Sequence, residues 1–157
     1  YRGADFQTGA RFLTDNAGDF FVNLSIAYVD DERRSDTPGD PYVTIMEQER
    51  RLRSRSYLSA SWTKNDWAAG VSTSRIGSMN YQSPRWDGKP NTKIDPYYDI
   101  GAFVRYDIED GHYVALSVSN LMDDVPKKNS DLGWPWFATY YYSPVGRELF
   151  LTYRYTF

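Results

Sequence analysis

The residues of this chain that could do chemistry are few, and their spacing assembles no catalytic set. His112 is the single histidine and cysteine is absent, which removes thiol catalysis and thiolate metal sites. Beside a short turn, His112 is expected to be an interfacial residue rather than a base or ligand. Asp123, Asp124 and Asp131 bring calcium to mind, but they lack the loop pattern and terminal glutamate of a calcium hand, so turn chemistry is their expected role. No paired carboxylates and no Ser/His arrangement occur, so neither an enzyme nor a cofactor or metal site is expected. Two groups remain. Arg53, Arg55, Arg75, Asp99, Arg105, Asp107, Glu148 and Arg154 are expected to line a water-filled interior, as cross-strand charge pairs or as contacts to a permeating solute. The loop aromatics Tyr42, Trp86, Trp134 and Trp136 can stack on sugar rings or planar chelates, or can pack one loop against another.

Strands must position these groups. Toward the end of the chain, Leu149, Leu151, Tyr153, Tyr155 and Phe157 alternate with the polar set Glu148, Thr152, Arg154 and Thr156. Successive strand side chains point to opposite faces, so one side meets oil and the other water. Seven such segments are expected, over residues 5–14, 20–30, 52–62, 67–77, 97–108 and 112–120 and in the closing strand. The clearest set Phe20, Val22, Leu24, Ile26 and Tyr28, or Tyr98, Ile100, Ala102, Val104, Tyr106 and Ile108, on one face. The first segment is too mixed for its faces to be assigned. No helical period of any length occurs; the charged stretch 47–55 comes nearest, and its arginines suit a strand facing water.

Short connections (residues 15–19, 64–66 and 109–111) alternate with long polar ones (31–51, 78–96 and 121–144). Hairpin connections are mostly 2–5 residues, so three long loops in strict alternation need a cause. Transmembrane barrels supply one, with tight periplasmic turns and long outer loops. Aromatic residues bunch at both ends of the segments. Phe20 to Tyr28 and Tyr98 to Tyr106 each span eight positions, roughly 26 Å along a strand and about 20 Å vertically at ~40° tilt, close to an apolar band about 25 Å tall between two aromatic girdles.

The bulk numbers allow this. At 157 residues the chain suits one domain, and a net charge of −3 gives no basic footprint, so no nucleic-acid partner is expected. No apolar run is long enough for a transmembrane helix. A mean hydropathy of −0.65 is compatible with membrane strands, which are only half apolar. The 14 Tyr, 5 Trp and 8 Phe favour strands and membrane interfaces. The expectation is an all-β, antiparallel transmembrane β-barrel segment in the bacterial outer membrane. Seven strands place the two chain ends on opposite sides, whereas a single-chain bacterial barrel has an even strand number. Residues 1–157 are therefore expected to be the C-terminal part of a larger barrel domain, with upstream strands absent. A passive porin or other outer-membrane channel, and a secreted β-sandwich binding module, are the competing readings.

At this point the residues resemble a known family. The run VSNLMDD (Val118 to Asp124) is similar to the "NLFD" segment that leaves the penultimate strand of TonB-dependent receptors, with Met122 where Phe is usual. Gly146 and Arg147, followed by the closing strand, resemble the "GR…Y.F" ending of that family, and DPYYDIGAFVRYDI (Asp95 to Ile108) resembles the strand before. GWPWF (Gly133 to Phe137) is similar to a stretch in a subgroup of these receptors, some of which import plant-derived oligosaccharides. The resemblance implies a 22-stranded barrel around an N-terminal plug, here absent. It implies uptake of a scarce ligand (siderophore, cobalamin, haem or oligosaccharide) with energy delivered through TonB. By the same resemblance, Tyr153, Tyr155 and Phe157 form the signal read by the barrel-assembly machinery. The implied partners are outer-membrane lipid, the plug and upstream strands, TonB, the assembly machinery and the small-molecule or oligosaccharide ligand.

Overall fold

A computed structural model describes residues 1–45, 51–81, 92–109, 111–128, 134–137, 139 and 141–156. Among these the chain forms strands and no helix: β1 (Arg2–Phe12), β2 (Asp19–Asp31), β3 (Arg33–Arg34), β4 (Val43–Thr44), β5 (Ser54–Lys64), β6 (Trp67–Ile76), β7 (Met79–Tyr81), β8 (Thr92–Ile94), β9 (Tyr97–Glu109), β10 (His112–Ser119) and β11 (Glu148–Arg154). The seven long strands make one antiparallel sheet in the order β1-β2-β5-β6-β9-β10-β11. Each long strand pairs with the next in sequence, so the sheet is an up-and-down meander. It is open, with β1 and β11 at its two edges, and does not close into a barrel. Two small hairpins, β3-β4 and β7-β8, stand within the first two long connections.

The sequence places the seven strands well and their ends less well. The first runs over Arg2–Phe12 and not to Thr14, and the third starts at Ser54 rather than Leu52. Arg53 therefore precedes its strand, although its carbonyl still accepts the Val29 N–H at 2.8 Å. On the other side the last paired residues are Arg55 and Ile76, with one further bond from the Gly77 N–H to Ser54 O at 2.8 Å. The last strand ends at Arg154, leaving Tyr155 and Thr156 beyond it. The hairpins inside the long connections are not expected from the sequence.

Local chemistry sets the turns. β5 and β6 are joined through Asn65 and Asp66, and Asn65 adopts φ 50°, a left-handed conformation that asparagine tolerates. Between β1 and β2, Thr14 Oγ1 donates to Gly18 O at 2.7 Å and accepts the Ala17 N–H at 3.0 Å. Gly18 has φ 90°, and a Cβ there would lie 2.4 Å from Thr63 O, so both backbone shape and space require glycine. Trp62 Nε1 and Lys64 Nζ then donate to Ala17 O and Asn16 O, each at 2.6 Å, tying this turn to β5.

Among the described residues no second layer covers the sheet. The buried apolar side chains among the described residues are Ile45, Ala68, Ile76, Met79 and Tyr142, and Asn120 is the buried polar one. Ile76, Met79 and Tyr142 form a small core at the long-loop end, with Ile94, Tyr97 and Phe137 packed on it. A single-layer sheet this wide leaves two open faces, and what separates the faces is their chemistry.

Candidate functional site

Directly paired residues on antiparallel strands point the same way, so the register assigns every strand residue to a face. On the apolar face, Phe6, Ile26 and Ser56 align, then Leu24, Leu58, Thr73 and Ile100, then Val22, Ala60, Val71, Ala102, Val118 and Leu149. An aromatic row crosses this face at the short-turn end. Phe12 pairs with Phe20 and Phe20 with Trp62; one step on, Trp67 pairs with Tyr106, whose partner Val114 faces Tyr153. The Trp67 and Tyr106 rings lie 4.7 Å apart. At the long-loop end the same face carries Tyr28 and Tyr98.

This arrangement refines the aromatic assignment. Phe21, Tyr57, Tyr97 and Tyr113 sit at strand ends by sequence but belong to the opposite face, opposed by Ser61, Ser74, Ile76 and Asp107 respectively. The expectation for Arg75 is overturned. It pairs with Tyr98 and Ser56, so it lies on the apolar face and not among the inward charges. There it donates to Tyr98 Oη at 3.2 Å and Ser54 Oγ at 3.0 Å, with its guanidinium 5.9 Å from the Tyr98 ring centre. β6 reads WAAGVSTSRI, whose small residues carry no face signal, so only its neighbours reveal its orientation.

The polar face is built mainly of serine, glycine and charge. A trough on it of about 650 Å³ is lined by Ser59, Ser72, Ser74, Gly101, Ser117 and Ser119, among others. One row breaks the pattern: Phe21, Ser61, Gly70, Phe103, Ser117 and Phe150 are successive partners across six strands. The phenyl rings alternate with small residues, and the Phe103 ring lies over Gly70, where a Cβ would meet it at 2.6 Å. Phe103 and Phe150 are out of place in a polar alternation, and pattern reading passes over them.

The expected inward charges are distributed as follows. Arg55 is exposed on the polar face, opposite Ala27 and Ile76. Glu148 lies on this face too, opposite Ser119. Asp99 accepts the Asn120 N–H at 3.1 Å and so serves a loop entry rather than a charge ladder. Arg105 bonds Asp107 at 2.9 Å, two residues along its own strand, and lies 5.2 Å over the Tyr113 ring. Arg154 is opposite Tyr113. Both partners of the Arg105–Asp107 pair are more than a third exposed, so its contribution to stability is small. Arg53 lies outside the strands, which assigns it no face.

Of the loop aromatics, Tyr42 is exposed just before β4, Trp134 is 82% exposed, and Trp136 is 43% exposed with φ 69°. The large exposure of Trp134 argues against its serving only to pack one loop on another. Trp86 and Phe157 lie outside the described residues. Tyr153 Oη is 3.1 Å from His112 Nδ1, and the Tyr155 ring is 4.2 Å from the His112 ring, so His112 belongs to the aromatic cluster at the short-turn end.

The most specific geometry joins the two stretches around β10 and β11. Asn120 is 5% exposed and has φ 48°. Its side-chain Nδ2 donates to Asp124 O at 2.6 Å and Val145 O at 3.3 Å, while Oδ1 accepts the Asp124 N–H at 2.9 Å. Asp123 adopts φ 56°, and its Oδ1 accepts the Arg147 N–H at 2.7 Å. Arg147 Nη1 returns a longer bond to Leu121 O at 3.4 Å. A Cβ on Gly146 would lie 2.6 Å from Asp123 Oδ1, so glycine makes room for the carboxylate. These bonds clasp the base of the loop between the last two strands. The residues that mark the sequence on either side of that loop are thus bonded to one another. Asp123 is committed to a backbone N–H, which is turn chemistry. The chain matches no family model, no curated protein and no solved structure.

Proposed function

We propose that this chain is part of the wall of an outer-membrane β-barrel that imports a scarce solute, of the plugged TonB-dependent receptor type. The observation that carries the reading is the two-faced sheet. Its apolar face holds large exposed side chains over the whole width, including Phe6, Ile26, Leu58, Val104, Leu116 and Leu151, bounded by aromatics at both ends. An exposed apolar surface this continuous is rare on a soluble domain and marks contact with lipid or protein. β2 and β9 are 13 residues long, about 43 Å at about 3.3 Å per residue. At ~40° tilt that is about 33 Å of rise, enough to cross an apolar band about 25 Å tall. The three short turns fall at one end of the meander and the three long connections at the other, as barrels in the outer membrane arrange them.

The phenyl row of Phe21, Phe103 and Phe150 favours a receptor over an open porin. A water-filled channel gains nothing from exposed rings, whereas a plug or a partly apolar ligand can cover them. The clasp of Asn120, Asp123, Gly146 and Arg147 supports the same family, since those residues carry the resemblance. On this reading upstream strands complete the wall, a plug fills it, TonB supplies the energy, the assembly machinery inserts it, and the loops hold a siderophore, cobalamin, haem or oligosaccharide.

Residues 1–157 contain no cysteine, so a clean test is possible once any cysteine elsewhere in the full-length protein is replaced. Single cysteines at Val104, Leu116 and Leu151, carrying a fluorophore, are expected to be quenched by lipid-borne quenchers in native membranes. Labels at Ser72 and Ser117 are expected to respond to aqueous quenchers instead. Quenching of the Leu116 and Leu151 labels from water, or their shielding by protein, would overturn the reading.

A further inference from the structure

Arg75 stands on the apolar face of the sheet, paired with Tyr98 and Ser56. It lies eight residues from Trp67 on β6, and Tyr98 lies eight from Tyr106 on β9. Trp67 and Tyr106 belong to the aromatic row at the short-turn end, so Arg75 sits roughly 26 Å along the strand from that row. It is level with Tyr98, at the long-loop edge of the apolar band.

Arg75 Nε donates to Tyr98 Oη at 3.2 Å, and Nη1 donates to Ser54 Oγ at 3.0 Å. Both acceptors are neutral hydroxyls, so neither offsets the positive charge. Among the described residues no carboxylate pairs with Arg75. None occupies a paired position on this face from the Tyr28 row to the Trp67 row. Arg2, near the same end of the sheet, is committed to Asp30. A guanidinium carries N–H groups on three nitrogens, and those of Nη2 have no partner here among the described residues. The two hydroxyls and the Tyr98 ring, 5.9 Å from the guanidinium, hold the group in place and leave its outer edge open.

We propose that Arg75 anchors a phosphate group of an outer-leaflet lipid, the phosphorylated glycolipid of that leaflet. A phosphate accepts two parallel N–H bonds from a guanidinium edge and supplies the negative charge that this face lacks. Position selects the source. A lipid phosphate lies at the boundary of the hydrocarbon, where Arg75 sits, and basic side chains at that level recognise anionic headgroups. The inference deepens the membrane reading and rests on it for which leaflet meets Arg75.

The test is native mass spectrometry of the detergent-solubilised full-length protein, titrated with lipid A and with lipid A stripped of both phosphates. The natural protein is expected to bind lipid A at least about tenfold more tightly, the worth of one charge-assisted bond. Arg75→Gln is expected to abolish that preference and to bind the stripped lipid as before. Arg75→Lys keeps the charge and is expected to retain at least about a threefold preference. Arg11→Gln removes an exposed arginine from the other face at the short-turn end, and is expected to leave the preference intact. Equal binding of the two lipids, or a preference that survives Arg75→Gln, would overturn the proposal. So would loss of both lipids alike in that variant, or loss of the preference in Arg75→Lys or Arg11→Gln. Those failures with the lipid-quenching pattern intact reject the phosphate site alone; a reversed quenching pattern with the preference still dependent on Arg75 rejects the membrane wall alone.

Discussion

Asp123 Oδ1 accepts the backbone N–H of Arg147 at 2.7 Å, although 24 residues separate the two. The same oxygen fills the space that a side chain on Gly146 would need. Gly146→Val is therefore expected to displace the carboxylate and open the loop base, with a loss of about 1–3 kcal/mol. Thermal unfolding in detergent checks this, with Gly9→Ala as the comparison, because a Cβ at Gly9 meets its neighbours at an ordinary 3.5 Å.

Asn120→Ala removes three side-chain hydrogen bonds from a buried position that also needs a left-handed backbone. At about 0.5–1.5 kcal/mol each, with the Asp124 N–H and the Val145 carbonyl left unsatisfied, the expected loss is about 2–4 kcal/mol. Asn120→Gly keeps the backbone shape and loses the bonds. Comparing the two variants by chemical denaturation separates the conformational share from the bonding share.

How much of this was legible beforehand depended on how long a pattern ran. Phe20 to Tyr28 and Tyr98 to Ile108 each hold a period of two over five or more positions, so their faces were readable without neighbours. β1 and β6 interleave small, polar and apolar residues, and their faces appeared only through pairing, as Arg75 illustrates. β3, β4, β7 and β8 span two or three residues, too few to show any alternation. The segment at Asn120 and the pair Gly146–Arg147 were visible as marks in the sequence, but that they bond each other is a long-range fact that no local pattern encodes. The burial of the Tyr142 hydroxyl, without a partner among the described residues, was invisible for the same reason.

On the sheet, Leu151→Arg and Ser117→Arg form a matched pair on opposite faces. If lipid covers the apolar face, Leu151→Arg is expected to cost about 2–4 kcal/mol near the bilayer midplane, while Ser117→Arg costs little. Folding yields into lipid vesicles measure the difference. Equal tolerance of the two variants would count against a membrane on either side.

The phenyl row makes a separate prediction. Gly70→Ala forces the Phe103 ring away, since its Cε1 lies 2.6 Å from the new Cβ and Ala60 O lies at 3.0 Å on the other side. The expected loss is about 1–3 kcal/mol, and Phe103→Ala in the same background is expected to recover part of it. A double-mutant cycle by thermal unfolding gives the coupling directly.

Trp134 is 82% exposed, so Trp134→Ala is expected to change stability by less than about 0.5 kcal/mol. If it contacts the solute, uptake falls while the amount at the cell surface stays constant. Uptake of labelled ligand, normalised to surface immunodetection, separates the two effects.

The clasp at Asn120 and Arg147 also divides labour along the last hairpin. Below it, β10 and β11 keep their pairing from Tyr113–Arg154 up to Ser119–Glu148. Above it, Phe137 and Tyr142 of the same connection rest on Ile76 and Tyr97, at the top of two other strands. With the neck tied shut, a change elsewhere in that connection need not part the final hairpin, so a new specificity can be grafted there while those two seats are kept.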